Sequence, residues 1–353
     1  MTNLQPTTYK LLPKIIFALI IIALVVEGYF LLQSYQNSAK KYSGPMEKIT
    51  IGVSKVLLPS LVWVAENRGY FQENGVEITI KEFDSGKAAF TNMLSAGGLD
   101  MVTVAQTPVM LNSFNRSDFA IVSAIASSYN DVHVLAKRDR SITKPADLRG
   151  KKIGVTKGTT SHYFLDLFLG SSNIRSSDVE VVDTEVKQLA TSLQNGTVDA
   201  ISTFQPYAYD AEKALGENGI NLPARKIFRE DFYLVANQQF LQTHATAIIR
   251  FLQALKQAEE FIQKDTHDKD QAPDEVVAIV AKRLGLENEF VASVWDDFQF
   301  GLFLDQTIIK TMEDQAKWAI QNKLTDKTIV PNYVDYISVD ALRKAAPEKV
   351  LIK

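Results

Sequence analysis

The feature that most constrains this chain is an internal repeat with an offset of about one hundred residues. Ile51-Gly52-Val53-Ser54-Lys55 matches Ile153-Gly154-Val155-Thr156-Lys157, and an apolar helical stretch follows each, at 61–67 and 163–169. A second strand-like run comes next in each copy, at 76–80 and 179–182. Then Leu94-x-x-Gly97-x-Leu99-Asp100-x-Val102-x-x-x-Gln106 matches Leu193-x-x-Gly196-x-Val198-Asp199-x-Ile201-x-x-x-Gln205, with Pro108 and Pro206 just beyond. Three matches in one order imply two lobes of one architecture. Short apolar runs alternating with helical periodicity predict βαβ units on mostly parallel sheets, an α/β fold.

Ligands of such sheets lie beyond the carboxyl ends of the strands. Two lobes facing each other would therefore line one cleft with both sets of loops. The runs 132–136 and 232–236 read as two extended crossings, a hinge able to close over a ligand. Residues from 245 onward are largely helical in pattern, including 290–298, show no further βαβ unit, and are expected to pack back on lobe one. The expected organisation is lobe one at 48–135 and 237–353, and lobe two at 136–236. In the repeated Gly-x-apolar-Asp segments, Gly97 and Gly196 are expected to end helices. Asp100 and Asp199 are expected to turn the chain into the next strand, as structural residues.

Ahead of the repeat, residues 15–32 form an 18-residue run in which Glu27 is the only charge. At about 1.5 Å per residue this just spans a hydrocarbon core of about 30 Å. Lys10 and Lys14 precede it with no acidic residue, which places 1–14 in the cytoplasm. A cleaved signal peptide is the competing reading. The apolar character resumes at Tyr29-Phe30-Leu31-Leu32 and no clear small-x-small site follows, so an uncleaved transmembrane anchor is expected, with 33–47 as a polar tether. The lobes would then lie outside the cytoplasm.

Composition excludes several classes. With 38 basic and 41 acidic residues mixed along the chain and a net charge of −3, there is no basic stripe for nucleic acid. The absence of cysteine excludes disulfides, thiolate metal sites, a cysteine nucleophile and a lipid-modified cysteine. The four histidines are scattered with no H-E-x-x-H, and no metal or other cofactor is expected.

Three segments carry a resemblance. They are Ala65-Glu66-Asn67-Arg68-Gly69-Tyr70-Phe71-Gln72-Glu73-Asn74-Gly75-Val76, the stretch from Asp147-Leu148-Arg149-Gly150 through Gly158-Thr159-Thr160-Ser161-His162-Tyr163, and Asp199-Ala200-Ile201-Ser202-Thr203-Phe204-Gln205-Pro206-Tyr207. From residue 48 to about 347 the chain resembles substrate-binding proteins of ABC importers for nitrate, alkanesulfonates, taurine and thiamine pyrimidines. The second segment is similar to the sulfonate-binding branch. The third departs from the tryptophan-aspartate-proline of many members, having Phe204-Gln205-Pro206, which leaves the solute open. The resemblance implies a two-lobed type II periplasmic-binding fold with a hinged cleft, here preceded by one transmembrane helix. It also implies a monomer that captures a small, anionic solute and passes it to a membrane permease and its ATPase. Two alternatives stay open: a sensory module signalling through a partner membrane protein, and an enzyme resembling the pyrimidine synthases of this fold. The latter carry a cysteine-rich iron motif that this chain lacks.

The residues that follow each strand are the expected ligand contacts. In lobe one they are Lys55, Ser85, Gly86, Gln106 and Thr107, with Ser128 near the first crossing. In lobe two they are Thr159, Thr160, Ser161, His162, Gln205 and Tyr207. Thr159 to Ser161 open a helix after the Gly158 turn, where hydroxyls and free amides suit sulfonate, carboxylate or phosphate oxygens. His162 sits in the first helical turn, where the dipole favours a neutral ring. Lys55 could neutralise an anion, while Lys157 is expected in solvent. Gln106 and Gln205 each donate and accept, and occupy matching places in the repeat. Tyr129, Phe204 and Tyr207 could stack on a planar ligand.

Overall fold

The repeat survives into three dimensions strand by strand. The first copy runs β1 (Glu47–Ser54), α1 (Ser60–Asn67), β2 (Val76–Phe83), α2 (Gly86–Ala96), β3 (Met101–Ala105) and α3 (Gln106–Ser113). It leads into β4 (Phe119–Ser128) and β5 (Val132–Lys137). The second copy runs β6 (Lys152–Val155), α4 (Thr160–Ser171), β7 (Glu180–Asp183), α5 (Val186–Gln194), β8 (Ala200–Phe204) and α6 (Tyr207–Leu215). After it come β9 (Gly219–Leu222) and β10 (Glu230–Asn237). The main later elements are α7 (Ala245–Lys264), α8 (Asp274–Leu284), β11 (Phe298–Phe303) and α9 (Gln306–Gln321). This computed structural model describes residues 42–224, 226–264 and 274–352. The expected cytoplasmic tail and anchor, and the tether as far as residue 41, lie outside the described residues. Among the described residues no helix is long and apolar enough to cross a membrane.

Two sheets result, ordered β11-β4-β10-β3-β1-β2 and β7-β6-β8-β5-β9. β1 lies parallel between β2 and β3, and β6 lies parallel between β7 and β8. The next place in each sheet is taken by an antiparallel strand: β10 beside β3, and β5 beside β8. Each of these has just arrived from the other lobe. The crossings are therefore the segments before β5 and before β10. Residues 132–135 pair in the second sheet and 230–236 in the first, whereas the sequence suggested boundaries at 135/136 and 236/237. A run buried on both faces reads alike whether it ends one sheet or opens the next, and only its hydrogen-bonded neighbour decides.

Matching residues do matching work. The Asp100 carboxylate accepts from the Thr50 N–H at 2.7 Å, and the Asp199 carboxylate accepts from the Lys152 N–H at 3.0 Å. Each ties the turn into its own next strand, β3 or β8, to the neighbouring parallel strand, the structural role expected of it. Gly97 and Gly196 follow their helices with φ of +66° and +77°, where a side chain would be strained.

Helix α1 is apolar on nearly every side because it is covered on nearly every side. Leu61, Val62, Trp63 and Val64 are all buried between the first sheet and helices α7 and α8. Burial of each such side chain contributes about 1.5–3 kcal/mol. Helix α9 packs on α3, so the C-terminal segment does return to lobe one. The helical reading of 290–298 gives way at Phe298, where β11 joins the sheet edge antiparallel to β4. Its aromatic run with Gly301 suits a pleated edge better than a helix.

Candidate functional site

The two lobes meet at a small cavity of about 30 Å³, room for one or two water molecules in the conformation described. It lies where the crossings enter their sheets. Ser54 ends β1; Ser85, Gly86 and Lys87 open α2; Thr159 and Thr160 open α4. Asp131 closes the first crossing, and Glu230 and Phe232 begin β10. Val56, Leu58, Pro108 and Phe204 complete mainly apolar walls.

Several polar atoms set into those walls are buried without a conventional partner. Both carboxyl oxygens of Asp131, Oε2 of Glu230, Oγ1 of Thr160 and Oγ of Ser54 are buried with no conventional hydrogen bond among the described residues, and Asp131, Glu230 and Thr160 face one another. Leaving such groups unmatched is unfavourable, so a water, an ion or a ligand group is needed to satisfy them. Burial pushes the Asp131 carboxyl well above its ordinary range, and the adjacent Glu230 pushes it further. Glu230 is raised to about 7, also by burial, with the nearby Asp131 and Thr160 pulling back. Two neighbouring carboxyls in a low dielectric cannot both ionise, so the pair holds a proton near neutral pH. Asp231, one residue on, differs in having a cation: Arg229 Nη2 donates to its Oδ2 at 3.0 Å. Burial still raises Asp231 to about 6, against the pull of Arg229.

Of the residues expected from sequence, Ser85, Gly86, Thr159, Thr160 and the aromatic Phe204 line this cavity. The others are placed elsewhere, each for a visible reason. Lys55 is half exposed and pairs with Glu82 at 3.6 Å. Thr107 donates to Gln315 at 2.8 Å, and Ser128 donates to the Asp297 carbonyl at 2.7 Å. The Ser161 hydroxyl is buried without a partner and does not border the cavity, while its carbonyl accepts from Ser202 at 3.0 Å. His162 packs edge-on against Trp318 with ring centroids 5.3 Å apart, beside a surface groove with Lys157 and Leu324. Burial, then the charge of Lys157, lowers its basicity and favours the neutral ring. Thr159 does occupy the cap position of α4, but its hydroxyl turns back to the Thr156 carbonyl at 2.7 Å and caps no helical N–H.

Gln106 and Gln205 hold the hinge. Gln106 Nε2 donates to the Arg229 carbonyl at 3.0 Å and its Oε1 accepts from the Asp231 N–H at 2.8 Å, clasping the second crossing from both sides of Glu230. The Gln205 N–H donates to the Asp131 carbonyl at 3.1 Å, and its side chain reaches His133 at 3.2 Å and the Tyr209 N–H at 3.1 Å. The repeat thus supplies one glutamine per crossing. Asp131 and Glu230 were missed in the sequence reading. Their available signal was an acidic residue at the head of each buried crossing strand, in Asp131-Val132 and Glu230-Asp231-Phe232.

Several contacts join the lobes over the cavity. Tyr207 Oη donates to the Asp84 carbonyl at 2.9 Å, Lys187 pairs with the Asp84 carboxylate at 2.7 Å, and Lys87 Nζ donates to the Lys157 carbonyl at 2.6 Å. Further out, Trp318 Nε1 donates to Asp166 at 2.9 Å and Lys213 pairs with Glu287 at 2.8 Å. The arrangement is that of a closed clamp. Among the described residues no cluster of three or more His, Cys, Asp or Glu could hold a metal ion.

Comparison with known proteins agrees with this geometry. The profile of the family described as NMT1/THI5 like matches residues 60–268. A Bacillus subtilis protein named as an aliphatic sulfonates-binding protein is 24% identical over 334 residues, covering 93% of this chain and 97% of its own. The crystal structure of the periplasmic aliphatic sulphonate binding protein SsuA from Escherichia coli superposes with a TM-score of 0.66 at 18% identity, covering 86% of this chain and 99% of that one. The desulfurization enzyme DSZB has the same fold, with a TM-score of 0.61 at 14% identity over 86% of this chain and 99% of its own.

Proposed function

The chain belongs to the NMT1/THI5-like family, and from that premise we propose that it is an extracytoplasmic receptor that captures a small organic solute for an ABC importer. The observation that supports this best is the closed clamp: two repeated lobes, two crossings, and a cavity at the hinge with unmatched buried polar atoms. Solute enters when the lobes part, and closure places it between the openings of α2 and α4. The first N–H groups of a helix have no partner within it. The opening of α4 therefore suits an anionic end, such as the sulfonate in the names of the relatives. Cargo then passes to a permease and its ATPase. The apolar run 15–32 supports tethering of the receptor to the membrane.

A thermal-shift and calorimetric screen of the purified chain against sulfonates, carboxylates, nitrate, amines and pyrimidines tests the receptor reading. A binder should raise the melting temperature and shrink the radius of gyration or hold it at the closed value. A chain that binds none of them and turns one over instead would favour an enzyme like DSZB.

A further inference from the structure

Within the receptor reading, on which this inference rests, the walls of the cavity specify more than a small anion. Asp131 and Glu230 are 2% and 4% exposed, and both face the cavity. Among the described residues no side-chain cation compensates them. Lys87 is the one cationic side chain in the described lining, and its ammonium already serves the Lys157 carbonyl. Arg229 is committed to Asp231. Asp297 adds a further negative charge near Asp131. Beside the two carboxyls, the hydroxyl of Ser54 is buried without a partner and that of Thr160 is buried next to Glu230.

A bare oxyanion entering here would meet like charges in a low dielectric, with no free cation among the described residues to offset its desolvation. An N–H-rich cation meets the reverse situation, because every unmatched oxygen can accept from it and its charge is neutralised on arrival. We propose that the solute presents a cationic nitrogen group, an ammonium or an amidinium-like edge, to Asp131 and Glu230. Its apolar body lies among Val56, Leu58, Phe204 and Phe232. Any acidic end is directed toward the opening of α4. Solutes that carry an oxyanion and no nitrogen are rejected.

The test uses the full chain and matched probes that differ by one amine, such as 2-aminoethanesulfonate against ethanesulfonate, with simple amines, aminopyrimidines and nitrate alongside. The expected result is that every tight binder carries a cationic nitrogen and that deleting it weakens binding about 100-fold. Glu230→Gln and Asp131→Asn should each weaken the nitrogen-bearing probe at least tenfold. Should either variant not fold, the unaltered protein still reports: at pH 7, calorimetry in two buffers should show release of roughly half to one proton as the cation displaces the one shared by the pair. Tight binding of nitrate or a nitrogen-free sulfonate, with closure, would overturn the inference and leave the receptor reading standing. A panel with no binder at all retires both.

Discussion

Glu230→Gln isolates the energetic consequence of burying an acid pair at the hinge. The substitution keeps the shape and removes the titration. In the folded chain burial lifts Glu230 from 4.5 to about 7. Each pH unit of such a difference corresponds to about 1.4 kcal/mol, so the interval amounts to about 3 kcal/mol. The sign follows from which state binds protons. Below pH 4.5 the carboxyl is protonated in both states and contributes no difference. Between pH 4.5 and 7 the unfolded chain ionises it while the folded chain does not, so stability falls as pH rises and then levels off. The variant has nothing to ionise at this position. Asp131, losing its acidic neighbour, should ionise more readily, which enlarges the effect. Denaturant titrations of both proteins from pH 4 to 8 should give curves that diverge, with the variant gaining about 3 kcal/mol relative to wild type by pH 8. Asp231 titrates in both proteins and largely cancels in the difference. Parallel curves across that range would refute the claim that Glu230 is buried as half of a proton-sharing pair.

Other perturbations test the frame around it. Gln106→Ala leaves the Arg229 carbonyl and the Asp231 N–H unmatched at the hinge, and should cost about 2–5 kcal/mol in urea denaturation; a loss below about 1 kcal/mol would mean that the clasp is incidental. Gly86→Ala puts a Cβ 2.8 Å from Val104 Cα, and an overpacking loss of about 1–3 kcal/mol is expected in the same assay. Tyr207→Phe removes the bond to the Asp84 carbonyl across the cleft. Ligand release should quicken about fivefold, in line with about 1 kcal/mol for one hydrogen bond, and an unchanged rate in stopped-flow would remove it as a latch. Lys187→Ala breaks an ion pair that is largely exposed, so its effect on closure should stay under about 1 kcal/mol and vanish in high salt.

The repeat was legible because it was written in residue types whose local physics is strong. Buried parallel strands appear as apolar runs, helix ends as glycines, and strand starts as Asp100 and Asp199, which bind the nearest strand's N–H in both copies. Gln106 and Gln205 were also found by that symmetry, yet their role was not. A glutamine that can donate and accept serves a ligand or a crossing strand equally well, and nothing nearby in sequence tells which. Residues 123 to 125 positions away settled it for Gln106.

What the sequence determined by itself is the architecture: two α/β lobes, the helix openings at 85–86 and 159–160 aimed at a common cleft, and the cysteine-free chemistry. What only the tertiary structure decided is the character of the cleft. Asp131 and Glu230 stand 99 residues apart in the chain and look like ordinary turn acids. Folding brings both crossings to one point, strips them of water and, among the described residues, supplies no cation to either. A carboxyl's proton affinity is set by those surroundings rather than by its neighbours in sequence, so its part in recognition became visible only when the lobes were put together.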